Sequence, residues 1–286
     1  MAQGGGGGGS IGQQNAFDLM AIAHPAAIVS DIARARGRAN LRFRIVFAIT
    51  WIILVGGLGL ALAASGKVDP TFLNTWGGFI LAGVPVTIFV SITSILLAIL
   101  FAIFGALGRL SRSAPIYAIA TLYVSIVRGT PLIVQIYFVY LALPQFGLVL
   151  DPLPSGILAL SFNYGAYLTE IFRAGVEAIP RGQREAAGAL GMTEAHTMRK
   201  VVLPQAVRIV IPAIGNDFIS MIKDSSLVSL VTIQELFYRA NNVGTQTFRN
   251  FEALLVAAFV YWMMTIVFSL FQERLEKRMA ESDLRL

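Results

Sequence analysis

The sequence predicts an all-α, polytopic membrane protein, and three observations carry that prediction. Apolar residues fill 56% of the 286 positions, while charged residues fill only 13%, against roughly 25% in an average soluble domain. Mean hydropathy is +0.71. The apolar residues fall in blocks of about 20 with few charges inside, the length that crosses roughly 30 Å of hydrocarbon. So little charge cannot cover the surface of a soluble globule of this size. A soluble enzyme is excluded.

Six blocks read as spans. Residues 1–44 form a flexible, basic N-terminal segment that opens with the glycine run Gly4 to Gly9, a tail or appended linker outside any fold argument. No charged stretch leads directly into an apolar core there, so no cleavable signal peptide is expected. Pro25 to Arg44 is basic and partly apolar. It suits either an interfacial helix on an anionic leaflet or a solvated stop before the first span. That span covers 45–64, between Arg44 and Lys67, and the second runs from Gly78 to Leu107. The third, Ala114 to Leu143, is interrupted at Arg128-Gly129-Thr130-Pro131. The fourth, Pro154 to Ile179, is weaker because it carries Glu170, Arg173 and Glu177. Gln205 to Ile222 and Phe251 to Phe271 complete the set, and 273–286 is a tail.

An even number of spans puts both termini on one side, and the basic residues say which. Arg34, Arg36, Arg38, Arg42 and Arg44 precede the first span, and Arg109 and Arg112 separate the second from the third. Arg181, Arg184, Arg199 and Lys200 lie between the fourth and fifth, and Arg274, Lys277, Arg278 and Arg285 follow the sixth. The opposite loops hold Lys67, Arg239 and Arg249. By the positive-inside rule both termini and the loop 180–204 are cytoplasmic. The net charge of +6 thus marks cytoplasmic loops, and no nucleic-acid partner is expected.

That loop reads as two short helices around an elbow. Ala186, Ala187, Ala189 and Leu190 continue a good helix former, which Gly191 ends by adopting a left-handed conformation. Thr193 then starts a second stretch, which Pro204 interrupts or redirects. Glu185-Ala186-Ala187, Gly191 and Leu203-Pro204 stand at the spacing of the EAA signature, and only Val201 departs, where isoleucine is usual. In this the sequence resembles the permease subunits of bacterial ABC importers. The runs RGTPLIVQ (Arg128 to Gln135), YLTEIFR (Tyr167 to Arg173) and KDSSLVS (Lys223 to Ser229) resemble the polar amino acid branch, of the histidine, glutamine, arginine and glutamate type.

The resemblance implies a five-helix type I importer core over 78–272, with the helix at 45–64 as an N-terminal addition. It implies a location in the bacterial cytoplasmic (inner) membrane, surrounded by lipid. It also implies an ATPase-coupling role for Glu185, Ala186, Ala187, Gly191, Leu203 and Pro204. The partners implied are two ABC ATPase subunits, a second permease chain (identical or paralogous) and an extracytoplasmic substrate-binding protein. The chain has no P-loop: Gly66-Lys67 is followed by Val68 and lacks the upstream glycine. ATP and Mg therefore belong to the partner ATPase, and no cofactor or catalytic residue is expected in this chain.

An ionisable group near the bilayer centre costs about 2.5–3.5 kcal/mol, so each asks for a reason. Glu170, Arg173 and Glu177 share one helix face. They form either a self-neutralising ladder or, for Glu170 with Asn163, Tyr164 and Tyr167, part of a polar translocation path. Arg128 precedes the break at Pro131. It either faces a substrate carboxylate beside exposed backbone or packs at a kink, paired to Glu170 or Asp217. Lys223 and Ser226 either cap the fifth span and pair internally or touch the ligand. His196 reads as an ordinary surface side chain. Two histidines and no cysteine leave little for metal or thiolate chemistry. A membrane-embedded enzyme finds no nucleophile or metal cluster, and an ion-coupled secondary transporter would show two matching broken helices.

Overall fold

The computed structural model describes residues 25–66 and 68–283, with side chains for 41–66 and 68–279. The Gly4 to Gly9 run lies outside the described residues. Every described element is helical, and no strand occurs among them. The chain divides into two units, one ending at Val68 and one beginning at Asp69.

The first unit is one long helix, α1 (Pro25–Ala64). The basic stretch 25–44, placed in a flexible segment and weighed as an interfacial helix or a solvated stop, is helical and continuous with the first span. Alanine and arginine dominate it, and both are strong helix formers. Phe43, Phe47 and Trp51 recur at helical spacing, so successive rings meet at 6.2 and 6.1 Å.

The second unit opens with α2 (Pro70–Leu81) and α3 (Val84–Arg109). Helix begins at Pro70 rather than Gly78 because Asp69 caps it. The Asp69 carboxylate accepts a hydrogen bond from the Thr71 N–H at 2.8 Å. That bond, with others, holds the Asp69 carboxyl below its ordinary range. The third block is two helices, α4 (Ala114–Gly129) and α5 (Leu132–Tyr137). A π turn and a 3-10 turn carry the second arm on to Phe146, and the arms meet at 108°. This is far sharper than a kink.

Helix α6 (Pro152–Glu177) lies between α3, α4, α5 and α9, and buries Ser155, Ser161, Asn163 and Thr169 along with its apolar residues. Small residues of α3 let the two helices come close: a Cβ at Gly105 would lie 2.1 Å from the Thr169 hydroxyl on α6. The cytoplasmic loop forms α7 (Arg181–Ala189) and α8 (Glu194–Thr197), a π turn (Met198–Val202), and α9 (Leu203–Asp224). Pro204 does not redirect the chain. It sits in the first turn of α9, just after the π turn, where its missing N–H is tolerated. Helix α10 (Leu236–Thr247) and α11 (Asn250–Asp283) follow, so the tail expected from residue 273 is helical as far as Asp283.

Four packed clusters among the described residues hold this unit together, and two of them show how. Phe72, Ile80, Ile222, Leu236 and Ala253 join α2, α9, α10 and α11, while Ile95, Ala98, Tyr164, Leu168 and Met221 join α3, α6 and α9. Glu235, fully buried, caps α10 by accepting from the N–H groups of Phe237 and Tyr238 at 2.9 and 2.7 Å. The hydroxyls of Thr87 on α3 and Tyr261 on α11 also donate to it. One carboxylate fastens three helices.

Four described helices are long and apolar enough to cross a membrane, or five if the bent pair is one span. The fourth expected span, α6, falls short of that measure. Its serines, asparagine and tyrosines face neighbouring helices, and a helix enclosed by protein need not be apolar all round.

Candidate functional site

The break between α4 and α5 opens onto a cavity of about 330 Å³. Thr130, Pro131 and Leu132 supply one wall, Asn163, Tyr164 and Tyr167 of α6 a second, and Asp217, Ser220 and Asp224 of α9 a third. Pro131 has no N–H to give the Val127 carbonyl four residues back. The Gln135 side chain takes over: Nε2 donates to the Val127 carbonyl at 2.8 Å, and to the Thr130 carbonyl and hydroxyl at 3.1 and 2.9 Å. Its Oε1 accepts from Asn163 Nδ2 at 3.1 Å. A backbone orphaned by proline is thereby tied to a residue of the cavity.

The cavity is acidic. Tyr164 donates its hydroxyl to Asp224 Oδ2 at 2.7 Å. Asp217 Oδ2 is buried and has no hydrogen-bond partner. No lysine or arginine lines the space. Arg128 places its guanidinium 5.1 Å above the ring of Tyr167, a lining residue. An unpaired buried carboxylate is costly to leave so. A passing cation with N–H donors would offset that cost.

The residues singled out in the sequence divide. Asn163, only 5% exposed, and Tyr167 line the cavity, and Arg128 stacks on Tyr167. Glu170 lies outside the lining. It accepts from Arg109 Nε at 2.9 Å and Arg173 Nε at 3.0 Å, and Arg173 also reaches Glu177. Arg109 in turn donates to the Thr121 hydroxyl at 2.6 Å. The ladder of 170, 173 and 177 is therefore closed by an arginine from α3 that the spacing within one helix gave no reason to include. Arg128 pairs with neither Glu170 nor Asp217. Lys223 is exposed and Ser226 half-buried, and neither lines the cavity. The Asp224 carboxylate takes the Tyr164 hydroxyl rather than Lys223, while Ser225 Oγ donates to the Ile222 carbonyl at 2.7 Å. Sequence reasoning set Tyr164 on the polar face with Asn163 and Tyr167, and Asp224 in a stretch that either pairs internally or touches the ligand; it missed Ser220 and Gln135, and gave Asp217 only as a pairing partner. Asp217, Ser220 and Asp224 stand three and four apart, one face of a helix, and that spacing was a usable signal.

The elbow is a second, separate arrangement. Gly191 adopts φ +79°, the left-handed conformation expected of it. The N–H groups of Gly191 and Met192 donate to the carbonyls of Gly188 and Ala187 at 2.9 and 3.1 Å, the paired bonds of a Schellman motif. The Thr193 hydroxyl then caps α8 by accepting from the His196 N–H at 3.3 Å. Ala187 is buried, whereas Glu185, Ala186, Leu203 and Pro204 are exposed and Leu190 is 82% exposed at the tip. Arg184 Nη2 donates to the Val176 carbonyl at 2.8 Å, tying α7 to the end of α6. Among the described residues no group of three or more metal-ligating side chains comes together.

Residues 94–281 match the family model of the binding-protein-dependent transport system inner membrane component. The chain is 42% identical over 201 residues to the L-cystine transport system permease protein TcyB of Bacillus subtilis (strain 168), covering 69% of this chain and 85% of that protein. It is 34% identical over 206 residues to the arginine transport system permease protein ArtQ of the same organism, covering 72% and 94%. The crystal structure of an amino acid ABC transporter with histidines superposes with a TM-score of 0.71 at 37% identity, over 74% of this chain and 99% of that one. The MetNI methionine ABC transporter, in an inward-facing conformation, shares the fold with a TM-score of 0.62 at 18% identity, over the same shares of the two chains.

Proposed function

The chain belongs to the family of binding-protein-dependent transport system inner membrane components, and from that premise we propose that it conducts a polar amino acid into the cytoplasm as the permease subunit of an ABC importer. The observation that carries the cargo reading is the cavity at the broken helix, with its unpaired Asp217 carboxylate and no lining cation. An amino acid is a zwitterion. Its ammonium group suits that wall, and its carboxylate suits Arg128 beyond Tyr167. Relatives named for cystine and arginine transport support the class. No comparison points to an ion-coupled transporter.

The working unit is two permease chains, identical or paralogous, with two ATPase subunits and an extracytoplasmic binding protein. A single core lines half a pathway, and twofold closure is the commonest assembly. The elbow at 185–191 meets the ATPase. Its exposed Leu190 offers an apolar contact, Glu185 a charged one, and Ala186 a close approach. Both termini face the cytoplasm, a reading supported by the basic residues of loops 109–112 and 181–200.

In proteoliposomes holding the full complex, labelled amino acid should enter only with ATP inside and should keep entering after ionophores collapse all gradients. Uptake abolished by the ionophores alone would overturn the assignment. Because the chain has no cysteine, single cysteines placed at 193 and 246 report orientation cleanly. The first should react with an impermeant thiol reagent only from the cytoplasmic side, and the second only from outside.

A further inference from the structure

We propose that Gln135 is a positioning residue that decides which end of the cargo this cavity takes, by turning the Asn163 carboxamide so that its oxygen faces the cavity. The inference rests on the cavity being the cargo site. Its logic is one of donors and acceptors. The carbonyls of Val127 and Thr130 can only accept. The Gln135 atom at 2.8 and 3.1 Å from them must therefore be the amide nitrogen. Its other atom is then the oxygen, which can only accept, and it lies 3.1 Å from Asn163. Asn163 must present its own nitrogen there, and its oxygen is what remains for the cavity.

Two backbone carbonyls, left over by a proline, thus fix the polarity of a side chain on a different helix. The consequence is a wall of acceptors: the Asn163 oxygen, the Asp217 carboxylate, and Asp224, which already accepts from Tyr164. The hydroxyls of Thr130, Tyr167 and Ser220 can donate or accept and do not oppose it. A carboxylate entering here would meet oxygens of its own kind. An ammonium or a guanidinium brings several N–H donors and the opposite charge. The cavity therefore takes the cationic group of an amino acid. Basic amino acids, which carry two cationic groups, suit it better than acidic ones.

The test is equilibrium binding of L-arginine and L-glutamate to the detergent-solubilised complex of this chain with its ATPase, without the extracytoplasmic binding protein. Arginine should bind, and glutamate, with one ammonium group and two carboxylates, should compete at least about tenfold more weakly. Gln135→Leu should weaken arginine binding roughly tenfold, the equivalent of one lost charged hydrogen bond. Adding Asn163→Asp to that variant should restore it, because an aspartate shows the cavity an acceptor in either orientation. A residue that only braces the helix break would not be rescued this way. Wild-type affinity in Gln135→Leu, failure of the second change to restore binding, glutamate competing as well as arginine, or no arginine binding at all would each overturn the proposal. If Gln135→Leu does not assemble, Gln135→Met, which keeps the length of the side chain without its amide, decides by the same two outcomes. Arginine binding that survives both Asp217→Leu and Asn163→Leu would instead reject the cavity as the cargo site, an outcome separate from a failure of Gln135.

Discussion

The elbow and the cavity are both polar features of an apolar protein, and they are built in opposite ways. In the elbow every polar contact that sets its shape closes within five residues: Leu190 to Ala186, Gly191 to Gly188, Met192 to Ala187, His196 to Thr193. In the cavity the contacts that matter join helices far apart in sequence, Asn163 to Gln135 across 28 positions and Tyr164 to Asp224 across 60. A self-contained turn keeps its shape when pushed, which suits a part gripped by another protein. A cavity made from three helices changes whenever any one of them shifts, which suits a part that must open and close.

The largest effect that can test this contrast concerns Glu170, which lies beside the cavity without belonging to it. Glu170→Leu strands Arg109 within the helix bundle and leaves Arg173 with Glu177 alone. Breaking a fully buried ion pair costs about 3–5 kcal/mol, and less where, as here, 18% of the Glu170 side chain is exposed. Folded yield should collapse. Glu170→Gln, which keeps the shape, should fold in reduced amount with cargo affinity within about twofold of normal, the spread of a purely structural change. Normal yield with weakened affinity would move Glu170 into the cargo path and erase the boundary drawn here.

Asp217→Asn should do the reverse. The change removes a charge that has no partner on Oδ2, so thermal stability should hold or rise. Cargo affinity should fall by roughly 10- to 150-fold, the range for a charged hydrogen bond worth about 1.5–3 kcal/mol. Binding and melting curves measured on the same preparation separate the two readouts. A loss of stability with unchanged affinity would make Asp217 a structural acid like Glu170.

The same contrast explains what the sequence made legible. Gly191, the EAA spacing and the break at Pro131 are local facts, and the structure has a left-handed glycine and a 108° bend where the chain has those residues. Arg109 could not be joined to Glu170 from spacing, because the two meet only after α3 packs on α6. Gln135 sat within a recognised run and still gave no sign that it would serve the Val127 carbonyl and Asn163 at once. Pro204 read as a breaker because a π turn, which absorbs a missing N–H, leaves no composition signal. Helix α10 went unread as well: its cap, Glu235, is held by Thr87 and Tyr261, both remote in sequence.

Gly191→Val tests the self-contained side of the comparison. A Cβ at Gly191 meets nothing within 4 Å, so the whole penalty is backbone strain, about 1–2 kcal/mol for a left-handed residue. The bundle should melt as before, while the elbow loses its shape. ATP hydrolysis by the complex should continue with uptake reduced several-fold, whereas Gly191→Asn, which tolerates this conformation, should transport near normally. Tight coupling in Gly191→Val would mean that the turn is not what the ATPase reads.

The smallest effect asks whether the elbow is self-contained at all. Arg112, in the turn after α3, donates to Glu194 at 2.8 Å, and both side chains are largely exposed. It is an ion pair from outside the loop that reaches α8. Exposed pairs of this kind contribute at most about 1 kcal/mol and are screened by salt. The capping bonds of Gly191, Met192 and Thr193 do not pass through it. Arg112→Ala should therefore leave the melting temperature and the ratio of uptake to ATP hydrolysis unchanged within error, at low and at high salt alike. If that ratio falls in Arg112→Ala, and falls in the unaltered complex as salt is raised, then the elbow is held in register by α3. Coupling would then run through a contact between helices, as in the cavity, and not through a turn that stands alone.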